Sequence, residues 1–331
     1  MSEPLLRVEQ LTKSYPIAKR VLRGQHRQVR AVDGVSFELH RGETLALVGE
    51  SGCGKSTLAR CLLRLVEPSS GSVYFDGKDV GAYRGKELRD FRRSVQLVFQ
   101  DPSGALNPRM TVGDLVAEPL RVHGLVENRH EARRRAGELL EMVGLRPDHG
   151  TRYGGEFSGG QQQRIVIARA LSCRPPMLIL DEPVAALDAS TGTRILDLLT
   201  DLQQELGVAY LLISHDLSVV RNVADRVAVM YLGAFMETAR VDDLFSGPQH
   251  PYTQALLSAV PLPDPRRERI RARIALVGEV PSAADVPPGC RFHTRCFKAQ
   301  AVCSQDEPPL ALVGEREHRA SCLFAEPRKV L

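Results

Sequence analysis

One stretch limits what this chain can become more than any other: Arg41 to Leu65. Thr44 to Val48 is a short apolar run, the way a strand buried on both faces reads. Gly49-x-x-x-x-Gly54-Lys55-Ser56 follows, and Thr57 to Leu65 carries apolar residues at helical spacing. Strand, glycine loop and helix in that order are the setting of a phosphate-binding loop. Glycines let successive backbone N–H groups turn inward on phosphate oxygens. The helix start adds the positive end of its dipole. Lys55 supplies a point charge for the β- and γ-phosphates, and the Ser56 hydroxyl a ligand for Mg2+. A glycine turn with a surface lysine would share these letters, but the flanking strand and helix disfavour it. The stretch predicts a protein that binds a nucleoside triphosphate.

The rest must say what the nucleotide is for. With 331 residues there is room for one large α/β domain and something smaller. No apolar run reaches about 18 residues, so no transmembrane helix is expected. Met1-Ser2-Glu3-Pro4 does not read as a signal peptide. The expectation is a cytoplasmic protein whose membrane role, if any, needs a partner. A net charge of +4 is too weak to argue for nucleic acid. Basic clusters at Lys19 to Arg30, Arg133 to Arg135 and Arg266 to Arg273 read as solvated faces and loops.

Taken in order, Leu5 to Leu11 alternates as a strand, and Tyr15 after it could stack on an adenine base or simply pack. Ile17 to Arg30 reads as an inserted loop, and Ala31 to Leu39 as a second strand. Beyond the phosphate loop, Ser72 to Phe75 and Val95 to Phe99 read as strands, with a charged helix at Glu87 to Arg93 between them. Gln100, at a strand end, can ligate Mg2+ and sense the γ-phosphate. Thr111 to His123 and Arg129 to Val143 form a helical insertion stopped by Gly144. Ser158-Gly159-Gly160-Gln161 opens another helix, with Ser158 as N-cap, and so offers a second set of bare N–H groups. Met177 to Leu180 is an apolar strand ending in Asp181 and Glu182. The first carboxylate suits Mg2+ and the second can polarise an attacking water. Ala186-Leu187-Asp188 leads into a helix from Ser190. Val208 to Ile213 is a strand ending at Ser214-His215-Asp216, where His215 can reach a γ-phosphate.

Together these residues resemble the ATPase subunit of an ABC transporter across about residues 5–245. The motif set is Gly49 to Thr57, Gln100, Ser158-Gly159-Gly160-Gln161, Asp181-Glu182, Asp188 and His215. Phe157 stands where that family usually has leucine, an apolar exchange. The resemblance implies an α/β phosphate-loop NTPase core of ABC type. Its parts would be a RecA-like sheet, an antiparallel β subdomain and an α-helical signature subdomain at about 105–172, with 1–246 as the ATPase domain. The implied cofactors are ATP and Mg2+. Tyr15 would meet the base. Gly49, Glu50, Ser51, Gly52, Cys53, Gly54, Lys55, Ser56 and Thr57 would hold the phosphates. Ser56, Gln100 and Asp181 would hold the metal. Ser158, Gly159, Gly160, Gln161 and Asp188 would complete a site on a facing subunit, with the two domains arranged head to tail.

From Gly247 the composition changes, and 247–331 reads as a small irregular C-terminal extension. Its His250-Pro251-Tyr252-Thr253 resembles the tail of dipeptide and oligopeptide importer ATPases, as does Gly289-Cys290-x-Phe292-x-x-Arg295-Cys296. Nickel importers share much of this. Asp101 to Arg109 leans toward the F-type subunit, implying a sister ATPase as heterodimer partner, two transmembrane permeases and an extracytoplasmic substrate-binding protein. Cys290, Cys296, Cys303 and Cys322 offer four thiolates in a proline-rich segment too short to bury much core. Four thiolates suit an iron–sulfur (4Fe–4S) cluster or a tetrahedral zinc ion. The lack of Cys-x-x-Cys pairs weakens a zinc ribbon, and the resemblance tips the choice to iron–sulfur. Four reduced cysteines in a hydrophobic patch are the plain alternative.

Overall fold

The computed structural model describes residues 3–17, 28–261, 266, 269, 273–314 and 317–330. Its strands begin with β1 (Leu6–Pro16), β2 (Gln28–Leu39), β3 (Thr44–Val48), β4 (Ser70–Phe75), β5 (Lys78–Asp79) and β6 (Val95–Val98). They continue with β7 (Met177–Asp181), β8 (Ala209–Ser214), β9 (Arg226–Tyr231), β10 (Ala234–Arg240), β11 (Ala311–Leu312) and β12 (Arg319–Ala320). The helices are α1 (Lys55–Leu62), α2 (Gly85–Ser94), α3 (Pro102–Ala105), α4 (Val112–Val122) and α5 (Arg129–Met142). After these come α6 (Gly159–Leu171), α7 (Ala189–Leu206), α8 (Leu217–Val223), α9 (Val241–Ser246) and α10 (Pro251–Ala259).

The chain divides into two units. The first comprises Met1–Leu5, Leu39–Glu43 and Asp79–Leu212. Its sheet runs β8-β7-β6, with β6 and β7 parallel from Val95↔Met177 to Val98↔Leu180. Met177 to Leu180 is wholly buried, as an apolar strand covered on both faces must be. Polar caps start its helices. Thr111 Oγ1 accepts the Asp114 N–H, and Asn128 Oδ1 accepts the Glu131 N–H. Ala132, Ala136 and Leu140 recur every fourth residue and form the buried stripe of α5. The opposite face carries Arg134, paired to Glu138, and Arg135, paired to Glu131, as expected of a solvated basic cluster.

The second unit comprises Leu6–Glu38, Thr44–Lys78 and Ile213–Leu331. It holds an antiparallel pair of β1 and β4, with β2 on the other side of β1. It also holds the order β11-β12-β10-β9-β3, in which β3 and β9 are parallel and the other pairs antiparallel. One hydrophobic core runs from Val48 and Val229 into Tyr252, Leu257, Phe292, Cys290 and Cys303. Residues 247–330 are therefore packed on the sheet that ends at the glycine loop. They are less irregular than expected, since His250 caps α10 and β11 and β12 extend the sheet through β10. The loop expected over Ile17 to Arg30 lies mostly outside the described residues, as does most of Arg266 to Arg273.

One buried charge ties this region to β10. Glu237 is fully buried; its carboxylate accepts the N–H groups of Gln249 (2.7 Å) and His250 (2.9 Å) and meets His318 Nε2 at 2.6 Å. Beside it, His250 Nδ1 accepts the Tyr252 N–H at 3.0 Å. Burial pushes His250 down from 6.5 to about 4, against the pull of Glu237. The folded state therefore binds fewer protons at His250 than the unfolded chain. The stability tied to this neutral histidine is complete above pH 6.5 and is lost as pH falls toward 4. The expected loss is on the order of 3 kcal/mol. Denaturant titrations between pH 7 and 4.5 should show it. His250→Asn, which keeps a capping acceptor, should flatten that dependence; an unchanged slope would exclude His250 as its source.

Candidate active site

In the second unit, β3 delivers the chain into the loop Gly49 to Gly54, and α1 starts at Lys55, two residues earlier than the apolar spacing indicated. A Cβ on Gly49 would lie 2.2 Å from the Met230 carbonyl oxygen, and one on Gly54 would lie 2.0 Å from that of Ala31. Gly54 also has φ +115°, a conformation L side chains rarely adopt. Ser51, Gly52 and Ser56 are exposed, Thr57 is half-buried and Cys53 is buried. Lys55 Nζ donates to the carbonyls of Gly49 (2.7 Å) and Glu50 (3.0 Å). Its charge is thus held over the loop mouth. Tyr15 sits in β1 with Lys13 Nζ 5.0 Å from its ring centroid, so a cation already faces the ring assigned to a base. His215 belongs to this unit, exposed between β8 and α8.

The first unit places Gln100, Asp181 and Glu182 at the ends of two paired strands, β6 and β7. Gln100 Nε2 donates to Glu182 Oε2 at 2.8 Å, which leaves the Gln100 amide oxygen for a cation. Glu182 has φ +49°, the left-handed region, and its side chain is aimed by a backbone that a bulky residue rarely adopts. At the start of α6, Ser158 Oγ accepts the Gln161 N–H (3.4 Å), and Gln161 Oε1 accepts the Ser158 N–H (3.0 Å). This reciprocal capping box satisfies two donors, so fewer bare N–H groups remain than the motif alone indicated. Asp188 caps α7, accepting from Thr191 N (3.0 Å) and Ser190 Oγ (2.7 Å), and these bonds hold its carboxyl well below the usual range.

The four C-terminal cysteines line one small cavity with His250, Phe292, Leu323 and Phe324. Three thiols receive a backbone N–H from two residues on: Cys290 from Phe292, Cys296 from Lys298 and Cys322 from Phe324, the last two at 3.4 Å. Burial pushes Cys296 up to about 11 and raises Cys290 and Cys322 as well. Among the described residues, no three His, Cys, Asp or Glu side chains are grouped so as to hold a single metal ion.

Two residues at the loop had no role assigned from sequence. Tyr252 OH accepts the Glu50 N–H at 3.0 Å, and Arg295 grips the Glu50 carboxylate at 2.8 and 3.1 Å. Both stand in the C-terminal motifs that resembled importer tails. Only the fold shows what they touch.

Residues 32–185 match the ABC transporter family, and residues 236–303 match the oligopeptide/dipeptide transporter C-terminal region. The probable peptide ABC transporter ATP-binding protein of Sinorhizobium fredii is 51% identical, over 94% of this chain and 87% of that protein. The dipeptide transport ATP-binding protein DppF of Escherichia coli is 48% identical, over 94% of this chain and 92% of that protein. A solved dimeric ATP-binding cassette in a post-hydrolysis state with ADP and phosphate is similar with a TM-score of 0.63. It is 31% identical and covers 71% of this chain and 98% of that one. The loop geometry has a direct consequence. Gly54→Ala should drive its methyl into the Ala31 carbonyl and weaken ATP binding at least about tenfold, roughly 1.4 kcal/mol. Binding of a fluorescent ATP analogue checks this, and parent-like affinity would mean the loop can yield.

Proposed function

The chain belongs to the ABC transporter family as an ATP-binding subunit, and on that footing we propose that it hydrolyses ATP to energise import of dipeptides or oligopeptides. The observation that carries the cargo class is the match of residues 236–303 to the oligopeptide/dipeptide transporter C-terminal region, beside a full set of nucleotide motifs. Residues 1–246 are the ATPase domain and 247–331 the importer-specific extension. The subunit lies against the cytoplasmic face of the membrane. Its partners are two permeases, a substrate-binding protein and a sister ATPase in a heterodimer. The dimeric cassette similar to this chain supports pairing as such. Among the described residues no helix is long and apolar enough to cross a membrane, so translocation is left to the partners.

Each residue has a task in this reading. The loop N–H groups and Lys55 bind the phosphates, and Tyr15 lies against the base. Ser56, Gln100 and Asp181 bring hydroxyl, amide and carboxylate oxygens, the hard donors that suit Mg2+. Bound there, Mg2+ neutralises charge on the β- and γ-phosphates. Glu182, held by Gln100, orients the attacking water and accepts its proton. His215 contacts the γ-phosphate. Ser158 to Gln161 and Asp188 complete the nucleotide site of the facing subunit, so ATP joins the pair and hydrolysis releases it.

The cysteine cavity is assigned an iron–sulfur cluster held by Cys290, Cys296, Cys303 and Cys322. The donor chemistry supports this: four soft ligands around one cavity, three of them receiving N–H···S bonds. A tetrahedral zinc ion would need its thiolates about 3.8 Å apart, from Zn–S of about 2.3 Å. The lack of any grouping fit for one ion therefore favours a larger cluster over zinc.

Two measurements test these assignments. Glu182→Gln should bind ATP with parent affinity and hydrolyse it about 100-fold or more slowly; unchanged turnover removes Glu182 from its role. Purified without oxygen, the chain should carry about four irons with matching sulfide and a broad visible absorbance. Cys296→Ser should reduce that iron, and a colourless parent with no iron would end the cluster assignment.

A further inference from the structure

Glu50 is held at every polar atom the loop gives it. Its N–H goes to Tyr252 OH (3.0 Å), its carbonyl accepts from Lys55 Nζ (3.0 Å), and both carboxylate oxygens accept from Arg295 (2.8 and 3.1 Å). The N–H taken by Tyr252 is therefore not one of the groups that face a phosphate. The first half of the loop is anchored, while Ser51 and Gly52 are left exposed to receive one.

Both anchors come from the C-terminal segment, 202 and 245 residues further along the chain. Both are immobilised there. Tyr252 is fully buried between Tyr231 (ring centroids 4.8 Å apart) and Phe292 (5.2 Å). The Arg295 side chain is 8% exposed and lies with its guanidinium carbon 6.0 Å from the Tyr231 ring centroid. A bidentate guanidinium–carboxylate pair fixes direction as well as distance. At this burial, removal of one partner leaves the other charge poorly compensated.

We propose that Arg295 and Tyr252 are positioning residues for nucleotide binding, which set the phosphate loop in its binding shape by clamping Glu50 from the C-terminal segment. Neither touches a reacting atom; both act through Glu50. The proposal rests on the chain binding ATP and is independent of what the cysteine cavity holds. It explains why an aromatic residue of the His-Pro-Tyr motif and an arginine of the Gly-Cys-x-Phe-x-x-Arg-Cys motif stand so far from the loop in sequence. Each reaches the loop only once the segment is folded on the sheet.

The test is a double-mutant cycle on the full chain, with Mg–ATP affinity as the readout. Arg295→Ala and Glu50→Ala should each weaken binding about tenfold, and the double variant should be no weaker than either single one. Arg295→Lys, which keeps the charge but loses the fork, should fall between parent and Arg295→Ala. Lys298→Ala, which removes the exposed Lys298–Glu326 pair of the same segment, should bind like the parent. That control separates loop positioning from general loosening. If Arg295→Ala does not fold, Arg295→Lys and Glu50→Gln carry the comparison with the side-chain bulk kept. In the assembled transporter, Arg295→Lys should raise KM for ATP with kcat within about twofold. Parent affinity in Arg295→Ala or Arg295→Lys, multiplying losses in the double variant, or a fall in kcat at unchanged KM would overturn the proposal. A parent chain that binds no Mg–ATP would instead overturn the functional reading beneath it.

Discussion

A loop wedged between two backbone carbonyls is the constraint on which the rest of this protein depends. The Met230 carbonyl bears on Gly49 and the Ala31 carbonyl on Gly54. Neither can retreat, because Met230 is in β9, paired in parallel with β3, and Ala31 is in β2 of the neighbouring antiparallel sheet. The loop is held to its curve by strands on two sides. Its N–H groups are pre-set for an anion and need not be ordered when one arrives. Lys55, folded back on the loop carbonyls, keeps the positive charge at the same place.

The chemistry is divided between short, local devices and long reaches. Glu182 sits at a strand end in a left-handed backbone, where conformational strain is tolerated because β7 is buried and paired. The Gln100–Glu182 bond joins neighbouring strand ends, which parallel register at Val98↔Leu180 brings together. Ser158 and Asp188 use their side chains to start helices. The same polar groups that would face a nucleotide across an interface are therefore structural groups within their own subunit.

How much of this was legible in the sequence follows from how far each contact reaches. β3, the glycine loop and α1 were readable because their causes lie within a few residues of one another. So was the Ser158 cap, since Ser-x-x-Gln is a local pattern. Element ends were read less well: α1 starts at Lys55 because Gly54 is its cap, a fact of backbone geometry. The grip of Tyr252 and Arg295 on Glu50 was invisible, because no local pattern encodes which side chains a tail will lay against a loop more than 200 residues earlier. The cysteines were visible as a set, but that all four face one cavity needed the fold.

Glu237 gives the architecture a direction in time. It lies in β10, within the sheet that carries the glycine loop, yet two of its bonds come from the N–H groups of Gln249 and His250 and a third contact from His318. A lineage that lost its last eighty or so residues would strand a carboxylate in a hydrophobic interior, and that loss would be selected against whatever the tail contributes to transport. The acquisition behaves as a ratchet: once a core strand came to hold a charge that only the tail can satisfy, descent could modify the tail but not discard it.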